Sequence, residues 1–166
     1  MAGAIGSHTA FMPLSQIPTP ACADFLSALT DTLGADAVRS GDAIPPDRHT
    51  DWSGTAPLAP LAWLRPDSTA QVSAALRICH AHRVPVVPQG GLTGLAGGAV
   101  PTPGAVVLSL DRMNAIESLD PVARVVTVQA GATLQAVQEA ALAAGCLFGV
   151  DLGARGSCQI GGNLAT

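Results

Sequence analysis

Two separated clusters of glycine constrain what this chain can fold into. The first, PQGGLTGLAGG at residues 88–98, holds five glycines in eleven residues. The second, GARGSCQIGGN at residues 153–163, combines glycine with polar side chains. Glycine adopts backbone conformations closed to other residues and lets a main chain approach a ligand closely, often at positive φ. We therefore expect both segments to be loops shaped for a ligand rather than flexible linkers.

Short apolar runs alternate with helical patterns around the first cluster. Residues 58–64, 84–88 and 105–110 are typical of buried strands. Between the first two, the sequence Ser68-Thr-Ala-Gln71 forms a capping box and predicts a helix that ends near His82. A strand, helix and strand in such close succession predict a small parallel sheet.

A second group of elements follows. Residues 115–119 and 124–129 flank an Asp-Pro turn and predict an antiparallel hairpin. Thr133 caps a helix with Leu134, Val137 and Ala141 on one face, and Gly145 ends it. The predicted fold class is therefore α+β, with a small parallel sheet lobe, an antiparallel sheet lobe and flanking helices.

The first third of the chain carries weaker signals. Residues 1–19 are expected to be a poorly ordered lead-in, and residues 20–33 to form a short helix that ends at Gly34. Residues 40–57 are expected to form an ordered loop. We accordingly divide the chain into a lead-in at residues 1–50 and a ligand-binding domain at residues 51–166.

Composition excludes several classes of function. All eight cationic residues are arginine, so a Walker A loop, a pyridoxal Schiff base and a lysine general base are absent. A net charge of −4 gives no basic face for nucleic acid. The four cysteines lack CxxC spacing and suit free thiols in a reducing compartment. No apolar run is long enough for a transmembrane helix, so we expect a cytoplasmic protein.

The first glycine cluster directly follows a predicted strand, and its consecutive N–H groups can converge on one point. A pyrophosphate is the natural occupant of such an anion nest, with the Thr93 hydroxyl as a further donor. The spacing differs from the dinucleotide fingerprint of the doubly wound fold. In the second cluster, Ser157, Gln159, Asn163 and Thr166 offer neutral donors and acceptors, which suit phosphates and a flavin edge better than a metal. The alternative for the first cluster is a glycine-rich turn between strands without a ligand. The alternative for the second cluster is a surface loop.

Together, VPVVPQGGLTGLAGG at residues 84–98 and DLGARGSCQIGGNLAT at residues 151–166 resemble the FAD-binding (PCMH-type) domain of the vanillyl-alcohol oxidase superfamily. Within it, the sequence is most similar to D-2-hydroxyglutarate dehydrogenases, D-lactate dehydrogenases and the glycolate oxidase D subunit. The resemblance begins near Asp51-Trp52 and is specific because two separated motifs agree in order and spacing.

The resemblance implies which residues contact the cofactor. In that family the first loop wraps the pyrophosphate and the second runs along it toward the isoalloxazine. The implied FAD contacts are Gln89, Gly90, Gly91, Leu92, Thr93, Gly94, Asp151, Gly156, Ser157, Gly161, Gly162, Asn163 and Thr166. Members that tether the flavin covalently place His directly after the Gly-Gly pair, where this chain has Leu92, so noncovalent FAD is implied. Many relatives carry Asn there.

The resemblance also implies a flavin-dependent enzyme that oxidises a small D-2-hydroxy acid by hydride transfer to flavin N5. In that family a cap domain beyond the second loop supplies the substrate-binding Arg and metal-binding or basic His residues. We therefore expect this chain to be an N-terminal fragment, inactive alone, with no catalytic or metal-binding residues of its own. The alternatives are a nucleotide-binding module without activity and another flavin oxidase of the superfamily.

Other chemically notable residues have structural interpretations. His80 and His82 are expected to face solvent at a helix end, and no histidine of the chain stands in for the cap-domain ligands. An aromatic such as Trp52 more often fills a packing gap than contacts a flavin, and Trp63 is expected in the core. Asp111-Arg112 predicts a local ion pair of little value. Cys158 is expected to be a packing residue.

Overall fold

A computed structural model describes residues 19–165, with side chains described from residue 22. Residues 1–18 of the lead-in predicted over 1–19 lie outside the described part, as do His8 and Thr166, while Thr19 begins α1. The helices are α1 (Thr19–Leu33), α2 (Thr69–Ala81), α3 (Leu134–Ala143) and α4 (Ile160–Ala165). The strands are β1 (Val38–Ser40), β2 (Ala62–Leu64), β3 (Val86–Gln89), β4 (Val106–Ser109), β5 (Ile116–Asp120) and β6 (Val125–Val128). Short 3₁₀ helices at Ala35–Ala37, Gly41–Ala43 and Pro46–His49 complete the order.

The first sheet has the strand order β1-β2-β4-β3, and β2, β4 and β3 are parallel as predicted. Strand β1 pairs antiparallel with β2 and was not predicted, because three residues with one apolar side chain give no alternating pattern. Strand β2 is shorter than the predicted run over 58–64. Pro57 and Pro60 lie just before it and lack the N–H that a strand donates to its neighbour.

One face of this sheet packs against α1 and α2. The shared core includes Phe25, Leu29, Leu64, Ala75, Cys79, Val106 and Leu108. Because side chains alternate along a strand, the opposite face presents Trp63, Val87 and Val107, which pack with Ile44. The ordered loop predicted over 40–57 thus contributes Ile44 to the packing on that second face.

The two predicted helix caps are present. The Ser68 hydroxyl accepts a hydrogen bond from the N–H of Gln71 at 3.4 Å. The Gln71 side chain accepts from the N–H of Asp67 at 3.0 Å, one residue earlier than a capping box requires. In α3 the Thr133 hydroxyl accepts from the N–H of Ala136 at 3.3 Å.

The second lobe consists of the predicted antiparallel β5–β6 hairpin, α3, and the chain that returns over them. Leu134, Val137, Cys158 and Ile160 form its buried core, with Val126 and Val128 of the hairpin packed against them. Helix α4 was not predicted, because its sequence IGGNLA contains two glycines that disfavour a helix. The second glycine cluster is therefore a loop that leads into a helix.

The four cysteines, all within the described residues, are free thiols. Cys79 and Cys158 are buried, and desolvation raises the pKa of the Cys79 thiol to about 11. Cys79 is therefore protonated at neutral pH and packs as a small apolar residue, and Cys158 lies in a core as expected. Between residues 19 and 165, no helix has the length and hydropathy needed to span a bilayer.

Candidate functional site

The two glycine clusters lie against each other. We call residues 89–99 the first loop and residues 153–163 the second loop. A Cβ at Gly91 would lie 2.6 Å from the carbonyl carbon of Ser157 and 3.0 Å from the Cα of Cys158. A Cβ at Gly90 would lie 3.4 Å from Oε1 of Gln159. Since real Cβ atoms do not approach a backbone that closely, the contact between the loops requires glycine at position 91.

The left-handed conformation that glycine favours occurs at unexpected positions in these loops. In the first loop the residues with positive φ are Leu92 at 59° and Gly97 at 77°. None of the glycines of the second loop has positive φ. Of the glycines in the two loops, only Gly97 uses the positive φ expected of such residues. Gly91 is needed for space, while Leu92 adopts a conformation that costs a Cβ-bearing residue free energy.

The side chain of Gln89 joins the two ends of the first loop. It is only 2% exposed, and its Nε2 donates to the carbonyl of Ala99 at 2.9 Å and to that of Arg48 at 3.0 Å. Its Oε1 is buried without a protein partner. The Gln89 amide therefore closes the loop and ties it to the 3₁₀ helix that ends at His49.

Asp51 lies beside the end of the same loop and is 7% exposed. Its Oδ1 accepts from the N–H of Ser53 at 2.9 Å, and its Oδ2 accepts from the N–H of Ala99 at 3.4 Å. Hydrogen bonding by Ser53, and by the N–H of Ala99, lowers the pKa of Asp51 from its ordinary value of 3.8, although burial opposes this shift. Asp51 is therefore ionised at neutral pH.

The second loop is held mainly by main-chain hydrogen bonds. The carbonyls of Cys158 and Arg155 accept from the first two N–H groups of α3, those of Leu134 and Gln135, at 3.1 and 2.9 Å. The N–H groups of Ile160 and Gly161 donate to Ala132 and Ala130 at 2.9 and 2.8 Å. The N-terminal donors of α3 are thus used within the protein and are not directed at a ligand.

Two further glycines allow this arrangement. A Cβ at Gly161 would lie 2.8 Å from the Cβ of Ala130. A Cβ at Gly131 would lie 2.7 Å from the carbonyl carbon of Leu110 and 2.8 Å from the carbonyl oxygen of Met113. Gly131 was not identified from the sequence, because it lies alone outside both clusters. It lets the two lobes approach each other just before α3 begins.

The two facing segments carry no charged side chains of their own. Neither residues 89–99 nor residues 156–165 include an acidic side chain, and both offer glycine N–H groups and neutral polar side chains. Asn163 donates from Nδ2 to Sγ of Cys158 at 3.6 Å and is half-buried. Thr93 is half-buried, and Ser157 is exposed. These residues fit a pyrophosphate, because neither loop carries a carboxylate of its own, the Asp51 carboxylate bonds only the Ala99 end of the first loop, and the glycines leave room for close approach.

The predicted contacts divide into two groups. Gln89, Gly90, Gly91, Leu92, Thr93 and Gly94 lie in the first loop, and Gly156, Ser157, Gly161, Gly162 and Asn163 lie in or directly after the turn that meets it. Asp151 precedes this group. Its carboxylate is exposed, pairs with Arg155 at 3.3 Å and accepts from Gln138 of α3 at 3.5 Å. The structure thus gives Asp151 partners on its own side of the second loop.

Several interpretations of single residues are corrected. Trp52 is 77% exposed, so it does not fill a packing gap. Asp111 and Arg112 do not pair locally. Asp111 accepts two bonds from Nε and a third from a terminal nitrogen of Arg65, at distances of 2.9 to 3.3 Å, whereas Arg112 pairs with Asp67. These pairs link the chain after β4 to the chain after β2 and could not be predicted from adjacent residues.

The interpretations of Trp63, His80 and His82 are confirmed. Trp63 is buried, with the Arg48 and Arg65 guanidinium carbons 5.0 and 4.7 Å from the centre of its ring. His80 and His82 are exposed. Among residues 22–165, no three His, Cys, Asp or Glu side chains are grouped closely enough to hold a metal ion.

Comparison with known proteins agrees with this geometry. A family model described as "FAD binding domain" matches residues 60–166 and includes both loops. The chain belongs to this FAD-binding domain family. It is 49% identical over 116 residues to D-2-hydroxyglutarate dehydrogenase of Xanthomonas citri pv. viticola, covering 70% of this chain and 25% of the relative. It is 36% identical over 155 residues to mitochondrial D-2-hydroxyglutarate dehydrogenase of Bos taurus, covering 93% of this chain and 28% of the relative.

A third relative is the putative mitochondrial D-lactate dehydrogenase C713.03 of Schizosaccharomyces pombe, 42% identical over 75% of this chain and 23% of the relative. This chain thus spans about a quarter of the length of the curated relatives it matches.

Solved structures support the α+β fold of an FAD-binding PCMH-type domain. Alkyldihydroxyacetonephosphate synthase aligns with a TM-score of 0.76 at 21% identity, over 87% of this chain and 29% of that one. The 4-ethylphenol oxidase of Gulosibacter chungangensis aligns with a TM-score of 0.69 at 24% identity, over 82% of this chain and 27% of that one.

Proposed function

We propose that this chain is the FAD-binding part of a flavin-dependent oxidoreductase that oxidises a small D-2-hydroxy acid. The contact between the first and second loops through Gly91 is the observation that carries the proposal. It brings two segments without acidic side chains together, as an anionic pyrophosphate requires. The curated relatives named D-2-hydroxyglutarate and D-lactate dehydrogenase support the substrate class.

In this proposal the cofactor is FAD, held noncovalently, because position 92 is Leu and offers no nucleophilic atom for a covalent link. The first loop would bind the pyrophosphate through Gln89 to Gly94. Further contacts would come from Gly156, Ser157, Gly161, Gly162, Asn163 and Thr166, and Asp151 is the most peripheral contact. When bound, FAD would accept the hydride from the α-carbon of the substrate at N5.

The chain's own residues would bind and orient the cofactor. The main chain of Gly90 and Gly91 would approach the phosphates, and Ser157 and Asn163 would donate hydrogen bonds along the second loop. We place this protein in the cytoplasm, where its free cysteines would stay reduced. We propose no catalytic or metal-binding residue within residues 1–166, and therefore expect the chain alone to bind FAD without turnover.

Flavin titration tests the proposal. The full 166-residue chain should quench or shift flavin fluorescence on adding FAD, and acid precipitation should release all the flavin into the supernatant. Dye reduction with D-2-hydroxyglutarate or D-lactate should stay at the background rate. Failure to bind FAD would overturn the proposal. Flavin that stays with the precipitate would contradict noncovalent binding, and turnover would show that the catalytic residues lie within this chain.

A further inference from the structure

Two buried polar side chains, those of Asp51 and Gln89, bond the main chain at the end of the first loop. We propose that Asp51 and Gln89 are positioning residues, which hold this loop in the conformation that receives the FAD pyrophosphate. The inference rests on the proposed function. For Gln89 the positioning role falls to the side-chain amide, whose donors are already used within the protein, and its main chain remains the proposed cofactor contact.

The main chain of Ala99 is held from both sides. Its carbonyl accepts from Nε2 of Gln89 at 2.9 Å, and its N–H donates to Oδ2 of Asp51 at 3.4 Å. Gln89 begins the loop and Ala99 ends it, so these two bonds fix where the loop returns. Closing a loop of this length costs conformational entropy, which the two bonds offset.

The segment 48–55 supplies the opposite anchor. Nε2 of Gln89 also donates to the carbonyl of Arg48 at 3.0 Å, and Asp51 lies three residues further along. Within this segment the Ser53 hydroxyl donates to the Thr55 hydroxyl at 2.8 Å. The Thr55 hydroxyl would in turn lie 3.2 Å from a Cβ at Gly97, so the returning limb of the loop packs on this turn.

The first loop is thereby held between two supports. Its outgoing limb at Gly90 and Gly91 rests on the second loop, and its returning limb at Gly97 and Ala99 rests on segment 48–55. A buried carboxylate needs its hydrogen-bond donors, so Asp51 favours the single loop shape that brings the Ala99 N–H to it. A loop held in advance binds its ligand more tightly, because less ordering remains for the binding step.

Amide hydrogen exchange of the ligand-free chain provides a test that does not depend on FAD. In D51A, amides of residues 90–99 should exchange about tenfold faster, as expected for losing a hydrogen bond to a charged group. D51N keeps one acceptor oxygen and should show a smaller effect. Q89L removes the amide while keeping an extended side chain, and should accelerate exchange of the same backbone amides.

The FAD dissociation constant provides a second measurement. For D51A it should rise about tenfold at a temperature where circular dichroism shows a folded chain.

D111N is the matched control, since it makes the same carboxylate-to-amide change at a half-buried side chain paired with Arg65. It should lower the unfolding midpoint without accelerating exchange at 90–99. If D51N and Q89L affect this loop no more than D111N does, both residues have only a general structural role and the inference is wrong. If the wild-type chain does not bind FAD, the proposed function and the cofactor role fail together, while the exchange data still decide whether these residues hold the loop.

Discussion

The first loop is held by side chains, those of Gln89 at its start and of Asp51 outside it, whereas the second is held mainly by its own main chain. Gln89 and Asp51 fix Ala99 in the first loop. The carbonyls of Arg155 and Cys158 fix the second loop on α3. Two segments of similar glycine content therefore differ in which substitutions they tolerate. The conformation of the first loop should be sensitive to substitution of polar side chains that are distant in sequence. The conformation of the second loop should be sensitive to any added atom that displaces its backbone.

The largest effect is expected where the loops touch. In G91A the new Cβ would meet the Ser157 carbonyl carbon at 2.6 Å and the Cys158 Cα at 3.0 Å, and neither backbone group can rotate away. We expect a loss of about 3 kcal/mol in the free energy of unfolding, at the upper end of ordinary overpacking, and no measurable FAD binding. Urea unfolding and flavin titration measure the two effects.

G98A is the control for that change, because a Cβ there meets nothing within 4 Å and φ is not positive. It should remain within about 0.5 kcal/mol of the wild-type stability, as surface substitutions usually do. Equal stability of G91A and G98A would show that the loops do not pack against each other.

A smaller effect is expected in the second loop at Gly161. The Cβ of G161A would lie 2.8 Å from the Cβ of Ala130 and 3.0 Å from its carbonyl oxygen, which accepts the Gly161 N–H. Overpacking is expected to cost about 2 kcal/mol, reduced by the better helix propensity of alanine within α4. Amides of residues 158–163 should exchange faster, while those near Ala99 should keep their wild-type rates.

G153A tests the specificity of that result, since a Cβ at Gly153 meets nothing within 4 Å. It should leave exchange at 158–163 unchanged. Faster exchange at Ala99 in G161A would contradict the view that segment 48–55, and not the second loop, holds the returning limb of the first loop.

The parallel sheet, the hairpin, two helix caps and the pairing of the glycine loops followed from the sequence, because each depends on local periodicity, capping residues or a motif. The supports of the first loop did not. The Gln89 side chain donates a hydrogen bond to the Arg48 carbonyl, 41 residues away in sequence. The Asp51 carboxylate accepts one from the Ala99 N–H, 48 residues away. Neither residue carries a local pattern that names its partner. Gly131 was missed for the same reason, since the backbone that excludes its Cβ belongs to Leu110 and Met113.

Helix α4 and strand β1 were missed for a different physical reason. The helix contains Gly161 and Gly162, whose intrinsic preference opposes a helix, and the strand has only three residues. Bonds from Ile160 and Gly161 to the chain before α3, and pairing of β1 with β2, override these preferences. Tertiary hydrogen bonds of this kind cannot be read from a single segment.

The smallest effect should come from Leu92, the strained position of the first loop. Its φ of 59° disfavours a leucine, and asparagine accepts this conformation more readily. L92N should therefore raise the free energy of unfolding by roughly 0.5 kcal/mol, part of the cost of a left-handed residue. L92A keeps a Cβ and should give no gain. R124N serves as the matched control, because Arg124 has a φ of 56° in the hairpin turn, away from both loops. A gain in R124N without one in L92N, measured by urea unfolding, would show that packing of the Leu92 side chain outweighs the backbone strain at this position.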